Sequence, residues 1–541
     1  MAALDWTNLA LLTPHLVAMV FAFAFGACAG SFINVVAWRM PQGLSVISPP
    51  SRCPTCGLRL KWHQNLPIIG YLRLGGRCAG CGVRFGVHYL AVEVVMGVLF
   101  AGVYAILFMP EPGSFWESVG QGWWRMQGLG RALPAVFVVL FAVGSLAAMT
   151  LADARTYHIP LAIPVVGSLV AFAGWLVQGL VAKHGAAPWP VPVPGWPVLW
   201  AGLGTMVGVV VGWALLRLGV LKESFADFQE FVSEGDVFGH YPHARREMVR
   251  EIGFLAIPAA GALAGFAFSR AGWPEPAGGV AALPMWLQAV GAAAVGFAVG
   301  GALIWLVRIV VTLFLGIEAM GLGDVHLMAC LGAAFGWRAV LVGFVIAPFV
   351  GLAWWLVSLV RHSPMRVPFG PSLASGGIAA YLLWPAIVAA FNAVLRGMAF
   401  MAEIARGAPG LALALSAVLA IGAFGCAWKA GRAPRGAGGW AAGAITALVA
   451  GVMTWVFGSP AGTLATGAVG VVLALCAGGA VRAANARTEE ESGPRTALAR
   501  IMSLMVVVVV LLGAFLIVLR PPHSDEKPLW TPLQPDAPRV Q

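Results

Sequence analysis

Charge is what this chain lacks. Only 10% of its 541 residues are Asp, Glu, Lys or Arg, against about 25% in soluble domains, and its mean hydropathy is +0.86. A soluble globular protein is excluded on that ground. Carboxylates are the scarcest resource, with 22 acids of which seven are aspartates. Eight cysteines in so long a chain do not make a disulfide scaffold. Between Met1 and Pro14 there is no basic segment, and no cleavage site follows the first apolar run, so no cleavable signal peptide is expected. A formal charge of +11 would suit nucleic acid, but the Lys and Arg residues fall in short loops between apolar runs, where they orient a membrane protein. Nucleic acid is therefore not an expected partner; the lipid bilayer is.

What is present is a succession of apolar runs. They predict about fourteen spans, near residues 16–38, 90–109, 134–152, 160–182, 197–220, 253–270, 285–313, 326–336, 338–360, 372–394, 409–428, 440–458, 461–482 and 499–519. The eighth is too short to cross alone. The fold expected is an all-α polytopic membrane protein, a multi-span helical bundle with a small cytoplasmic zinc-ribbon-like domain. The loop at 39–89 carries seven Lys or Arg and no acid, which places it in the cytoplasm. The divisions predicted are a first span (1–38), the cysteine-bearing loop (39–89), a bundle (90–220), a charged insertion (221–252), a second bundle (253–398) and further spans with a polar tail (399–541).

Two aspartates stand where apolar runs meet their loops. Asp153 ends one run and is followed by Ile159-Pro160, where proline breaks the helical path. Asp324 closes Gly321-Leu322-Gly323-Asp324, and these glycines leave room for an extended substrate strand. Three predicted spans precede Asp153 and seven precede Asp324, so both lie at one membrane face. A carboxylate at the centre of a membrane helix costs roughly 2.5–3.5 kcal/mol, and less near the interface, so such residues are functional candidates. Two carboxyl groups sharing a proton suffice for peptide hydrolysis, because one deprotonates a water while the other donates to the scissile carbonyl oxygen. Taken singly, each aspartate reads equally well as a helix cap or solvated loop residue.

Cys53, Cys56, Cys78 and Cys81 form C-x2-C-x21-C-x2-C, each pair followed by a glycine, Gly57 or Gly82. Four thiolates at this spacing suit tetrahedral zinc, and a site with four protein ligands is closed and structural. Disulfides are the alternative, disfavoured in a reducing cytoplasm.

These residues resemble the type IV prepilin leader peptidase family, membrane aspartic proteases of the GxGD kind. The stretch Gly30-Ser31-Phe32-Ile33-Asn34-Val35-Val36-Ala37-Trp38-Arg39-Met40-Pro41 is similar to its opening motif. It leads into the paired cysteines, then Asn65-Leu66-Pro67 and Tyr89-Leu90-Ala91-Val92-Glu93. Asp153 with Ile159-Pro160, Gly321 to Leu327, and Pro368-Phe369-Gly370-Pro371 resemble its later motifs. The resemblance implies that Asp153 and Asp324 are catalytic. It also implies that prepilin-like or pseudopilin precursors lose their basic leaders on the cytoplasmic side, and that the new N-terminus is methylated from S-adenosylmethionine. His326 departs from the lysine usual there. The 170 residues between the aspartates exceed the usual separation, and 221–252 holds seven of the 22 acids. That insertion reads as a solvated charged face, with gating or greeting of the basic leader as the sharper alternative.

Glu93 and Glu318 either meet a substrate's positive terminus or snorkel. Trp123 and Trp124 suit an interfacial belt, and Pro188 to Pro197 an external linker. Two rival functions stay open. A proton-coupled transporter would use paired carboxylates, although near the midplane of broken helices, and a catalytically decayed scaffold would keep only the metal loop.

Overall fold

The computed structural model describes residues 6–109, 122–182, 190–227, 241–271, 279–315, 320–360 and 369–390 except 385, with a few isolated positions besides. The chain divides into two units, Met1–Val394 and Leu395–Gln541, and the helices named below belong to the first. The last four predicted spans lie outside the described residues.

The described residues are helical, with no β-sheet among them. In order they form α1 (Trp6–Arg39), α2 (Ile69–Arg73), α3 (Val87–Phe108), α4 (Trp123–Thr156), α5 (Ala162–Val181) and α6 (Trp196–Arg217). Then come α7 (Ala244–Ala271), α8 (Met285–Leu315), α9 (Leu322–Phe335), α10 (Trp337–Val360) and α11 (Phe369–Leu382). Eight of these helices are long and apolar enough to cross a membrane. Every predicted span from the first to the tenth has its helix, and the short eighth is a separate helix, broken from α10 at Gly336, whose φ of 83° suits glycine.

The bundle is organised around α4 and α9. Helix α4 packs on α1, α3, α5, α9 and α11, whereas α9 packs on α4, α5, α8, α10 and α11. Residues 327–335 of α9 are all buried, so this helix of about 21 Å meets protein on every side and need not span lipid. It is held tightly: a Cβ on Gly296 of α8 would overlap the Gly332 carbonyl of α9, so the two backbones touch as small residues permit.

Polar side chains mend the breaks. Helix α4 kinks at Gly128 and contains Pro134, which interrupt its backbone ladder. Gln178 of α5, fully buried, accepts from the Ala135 N–H and donates to the Arg131 carbonyl, each at 3.0 Å. Trp175 Nε1 donates to the Ala334 carbonyl at 3.2 Å, fastening α5 to α9.

Two expectations are corrected. Trp123 and Trp124 are 1% and 2% exposed, packed edge to face inside the protein instead of lying in an interfacial belt. The proline-rich segment is no free linker where it is described, because Val191 is buried and lies where a side chain at Gly336 would go.

Candidate active site

Asp153 lies in the last turn of α4, where the helix closes on Tyr157 in left-handed geometry (φ 54°) with its N–H on the Asp153 carbonyl at 2.9 Å. The carboxylate thus sits at a helix end, as the Ile159-Pro160 break predicts. It is 9% exposed, and Oδ2 accepts the backbone N–H of Gly370 at 3.1 Å. A Cβ at position 370 would stand 2.6 Å from the same oxygen, so only glycine lets α11 start this close.

Asp324 occupies the first turn of α9, where unpaired N–H groups favour an anion, and its own N–H reaches the Gly321 carbonyl at 3.2 Å. It is half-buried. A Cβ on neighbouring Gly323 would meet Ile159 at 3.0 Å, so the loop after α4 rests on the first turn of α9. Helices α4, α9 and α11 pack pairwise, and the two carboxylates are near enough for the charge of Asp153 to act on Asp324. His326 Nδ1 is 2.8 Å from the Leu322 carbonyl; a carbonyl only accepts, so that nitrogen carries the proton and the ring serves its own helix.

The cysteines converge as their spacing predicts, all four sulfurs within 4.8 Å of one another. Cys53 is 3.9 Å from Cys81 and Cys56 is 3.8 Å from Cys78, and no disulfide joins the described cysteines. A tetrahedron with Zn–S of about 2.3 Å has edges of about 3.8 Å, so the cluster fits a zinc ion. Each pair sits in the same turn. Gly57 N–H returns to the Cys53 carbonyl and Gly82 N–H to that of Cys78, both glycines with φ near 70°. The Cys56 N–H facing Cys53 holds that thiol down at about 6, and the Cys81 N–H likewise lowers Cys78. The Leu58 N–H favours the Cys56 thiolate, yet burial and the sulfurs of Cys81, Cys53 and Cys78 push that thiol up to about 11. A cation would relieve that crowding. Glu93 serves the architecture, because its Oε2 accepts the Ile68 N–H at 2.7 Å and so ties α3 to the start of α2. Glu318 lies outside the described residues.

Comparison with known proteins bears on both sites. The Bacterial Peptidase A24 N-terminal domain matches residues 24–107, and the Type IV leader peptidase family matches residues 255–356. A prepilin leader peptidase/N-methyltransferase of Burkholderia pseudomallei (strain K96243) is 27% identical over 391 residues, covering 67% of this chain and 84% of that protein. Its namesake in Myxococcus xanthus (strain DK1622) is 49% identical over 81 residues, only 15% of this chain and 24% of that protein. A third, from Neisseria gonorrhoeae, is 28% identical over 178 residues, spanning 28% of this chain and 54% of that protein. Both matched models and all three relatives point the same way, to the type IV leader peptidases, which this chain resembles over these stretches. No solved structure matches it significantly.

The cysteine cluster lies inside the first matched stretch and Asp324 inside the second, whereas Asp153 falls between them. The charged insertion also lies between them, and among its described residues the reading as a solvated face fails at Glu247 and Glu251. Helix α7 begins at Ala244, well before the predicted span, and Glu247 and Glu251 are 1% and 3% exposed. Arg250 donates to both Glu247 oxygens at 2.8 and 2.9 Å, and Glu247 also accepts the Phe225 N–H at 3.0 Å. Tyr241 donates to Asp227 Oδ1 at 2.5 Å, holding that carboxyl below the usual range. Glu251 binds Arg308 of α8, which is 1% exposed. Sequence reasoning missed this arginine. Its signal was present, since Arg308 is the single charge in the apolar run 285–313 and needs a buried partner.

Proposed function

We propose that this protein is a membrane aspartic endopeptidase that removes the basic leader from prepilin-like and pseudopilin precursors at the cytoplasmic face of the bacterial inner membrane. Asp153 and Asp324 are its acid/base pair. The observation that carries this reading is the meeting of their helix ends, Asp153 against Gly370 and Gly323 against Ile159. One carboxylate takes a proton from water, the water oxygen attacks the scissile carbonyl carbon, and the other carboxyl group donates its proton to the carbonyl oxygen. Collapse of the tetrahedral intermediate breaks the C–N bond as a proton passes to the departing amine. Position at helix ends supports this over a transport role at the midplane.

Cys53, Cys56, Cys78 and Cys81 would hold a structural zinc, which supplies folding energy to loop 39–89 and leaves no open coordination position. The full name of the relatives supports a second activity, methylation of the new N-terminus from S-adenosylmethionine. A cavity of about 800 Å³ beside the cysteines, lined by Ser31, Asn34, Arg39, Arg52, Tyr89 and Glu93, is where we place it. Buried Asn34 Oδ1, which has no hydrogen-bond partner among the described residues, favours a ligand donor there.

The test is to incubate the purified chain in detergent with a prepilin-like peptide and labelled S-adenosylmethionine, reading both cleavage and label transfer. Asp153→Ala and Asp324→Ala should each lower cleavage by at least about a thousandfold while the protein still inserts. Retained cleavage in either variant refutes the pair.

A further inference from the structure

The charged insertion and the Asp324 loop are joined by one side chain. Arg308 emerges from α8 with Nε 3.1–3.2 Å and Nη2 3.0 Å from the Glu251 carboxylate, and its Nη1 donates to the Met320 carbonyl. Met320 immediately precedes Gly321, whose carbonyl in turn accepts the Asp324 N–H. The fork of the guanidinium is rigid, so fixing one edge on Glu251 fixes where the other edge holds the backbone. Glu251 is itself seated: Trp305 Nε1 donates to Oε2 at 2.6 Å and Ser224 Oγ to Oε1 at 3.3 Å. On its flank the Arg308 guanidinium lies over the Phe225 ring at 5.0 Å, and Phe225, in left-handed backbone geometry (φ 57°), is pinned by Glu247. Residues 224–225 and 247–251 therefore build the socket, α8 supplies the fork, and the fork grips the entry to the aspartate-bearing turn.

We propose that Arg308 is a positioning residue for Asp324, with Glu251 and its neighbours at 224–225 and 247–250 acting as its mount. An alternative account, a pair kept for stability alone, is weak on physical grounds, because buried ion pairs are often matched or exceeded by apolar replacements. A pair that reaches a backbone carbonyl close in sequence to another carboxylate has a geometric role instead. Arg308 is also close enough for its charge to act on Asp324. This proposal rests on the endopeptidase reading for its kinetic effect, though the mechanical link can be measured without it.

The experiment uses the full chain in detergent. In the double variant Glu251→Leu/Arg308→Met both charges leave together, so the fold should persist with a thermal midpoint near the parent's. Its kcat on the prepilin-like peptide should fall about tenfold or more with KM within about twofold, because alignment and not binding is lost. A double variant with parental kcat overturns the proposal. Arg308→Lys is the second probe, since it keeps a buried cation but loses the planar fork; about a threefold or greater loss of kcat at unchanged thermal midpoint is expected, and parity overturns the proposal even if the double variant fails to fold. Independently of activity, Met320→Cys places a thiol at a position 6% exposed. Its alkylation, read by mass spectrometry at that position, should run about tenfold faster when Arg308→Met/Glu251→Leu is added, and an unchanged rate overturns the link. If Asp153→Ala and Asp324→Ala cleave normally, the endopeptidase reading fails, while the alkylation rate still decides whether Arg308 holds the loop.

Discussion

The cysteine cluster and the aspartate pair are assembled in opposite ways. All four sulfurs come from one loop, and each pair of ligands is shaped by its own turn, closed by Gly57 or Gly82 and by backbone bonds within a few residues. The aspartates come from α4 and α9, and each is fixed by something further away still: Asp153 by Gly370 of α11, the Asp324 turn by Ile159 and, through Met320, by Arg308. A local site tolerates disturbance elsewhere in the bundle, whereas a site gathered from several helices inherits every packing error. Damage near the cysteines should therefore stay there, and damage to helix contacts should reach the aspartates.

On the proposed mechanism the largest effect is expected at the aspartates themselves, where loss of either carboxyl group would remove a proton-transfer partner and about a thousandfold or more in rate. Next comes Gly370→Val, which removes no carboxyl group but crowds one. A side chain there starts 2.6 Å from Asp153 Oδ2, so α11 must retreat or the carboxylate must turn. We expect kcat to fall about tenfold to a hundredfold with zinc content unchanged, measured by peptide cleavage and metal analysis on the same preparation. If Gly370→Val also lost zinc, the independence of the two sites would be broken.

The local site is the one that was legible. Cysteine spacing and trailing glycines carry their geometry in sequence, so Cys53, Cys56, Cys78 and Cys81 could be named with their arrangement. Asp153 and Asp324 are identifiable as polar exceptions at the ends of apolar runs, and the eight membrane-length helices among the described residues follow from hydropathy, as does the short helix before Gly336. What holds the aspartates was not legible. The run 221–252 looked like a solvated face because seven acids in one stretch ordinarily remain in water. Burial of Glu247 and Glu251 depends on Arg250 and on Arg308, and the latter lies 57 residues beyond Glu251, a pairing that no local pattern encodes. For the same reason Trp123 and Trp124 were assigned to an interface, since hydropathy cannot tell a lipid-facing ring from one covered by Phe108 and its neighbours.

The cysteine loop gives smaller effects of a different kind. Cys56→Ser should abolish stoichiometric zinc and lower the thermal midpoint, while cleavage by the protein that remains folded changes by less than about threefold. Metal analysis and cleavage on one preparation separate the two. A thousandfold loss of cleavage with the bundle intact would mean that the loop reaches the aspartates after all.

The smallest effect sharpens the boundary between the sites. Glu93 joins the cysteine loop to α3 through one charge-assisted bond to the Ile68 N–H, and Glu93→Gln keeps an acceptor while removing the charge. The loss should be about 1 kcal/mol, felt where α2 begins. Hydrogen exchange at the Ile68 amide should quicken by about fivefold, because the local opening that exposes it becomes that much cheaper. Cleavage should stay within about twofold of the parent, because the mount of the aspartates lies in α7, α8 and α11 and none of these contributes to the Glu93 bond. Were cleavage to fall as far as is expected for Gly370→Val, the loop would have to be counted among the elements that align the aspartates, and the contrast between a self-contained cysteine cluster and an aspartate pair distributed over several helices would no longer hold.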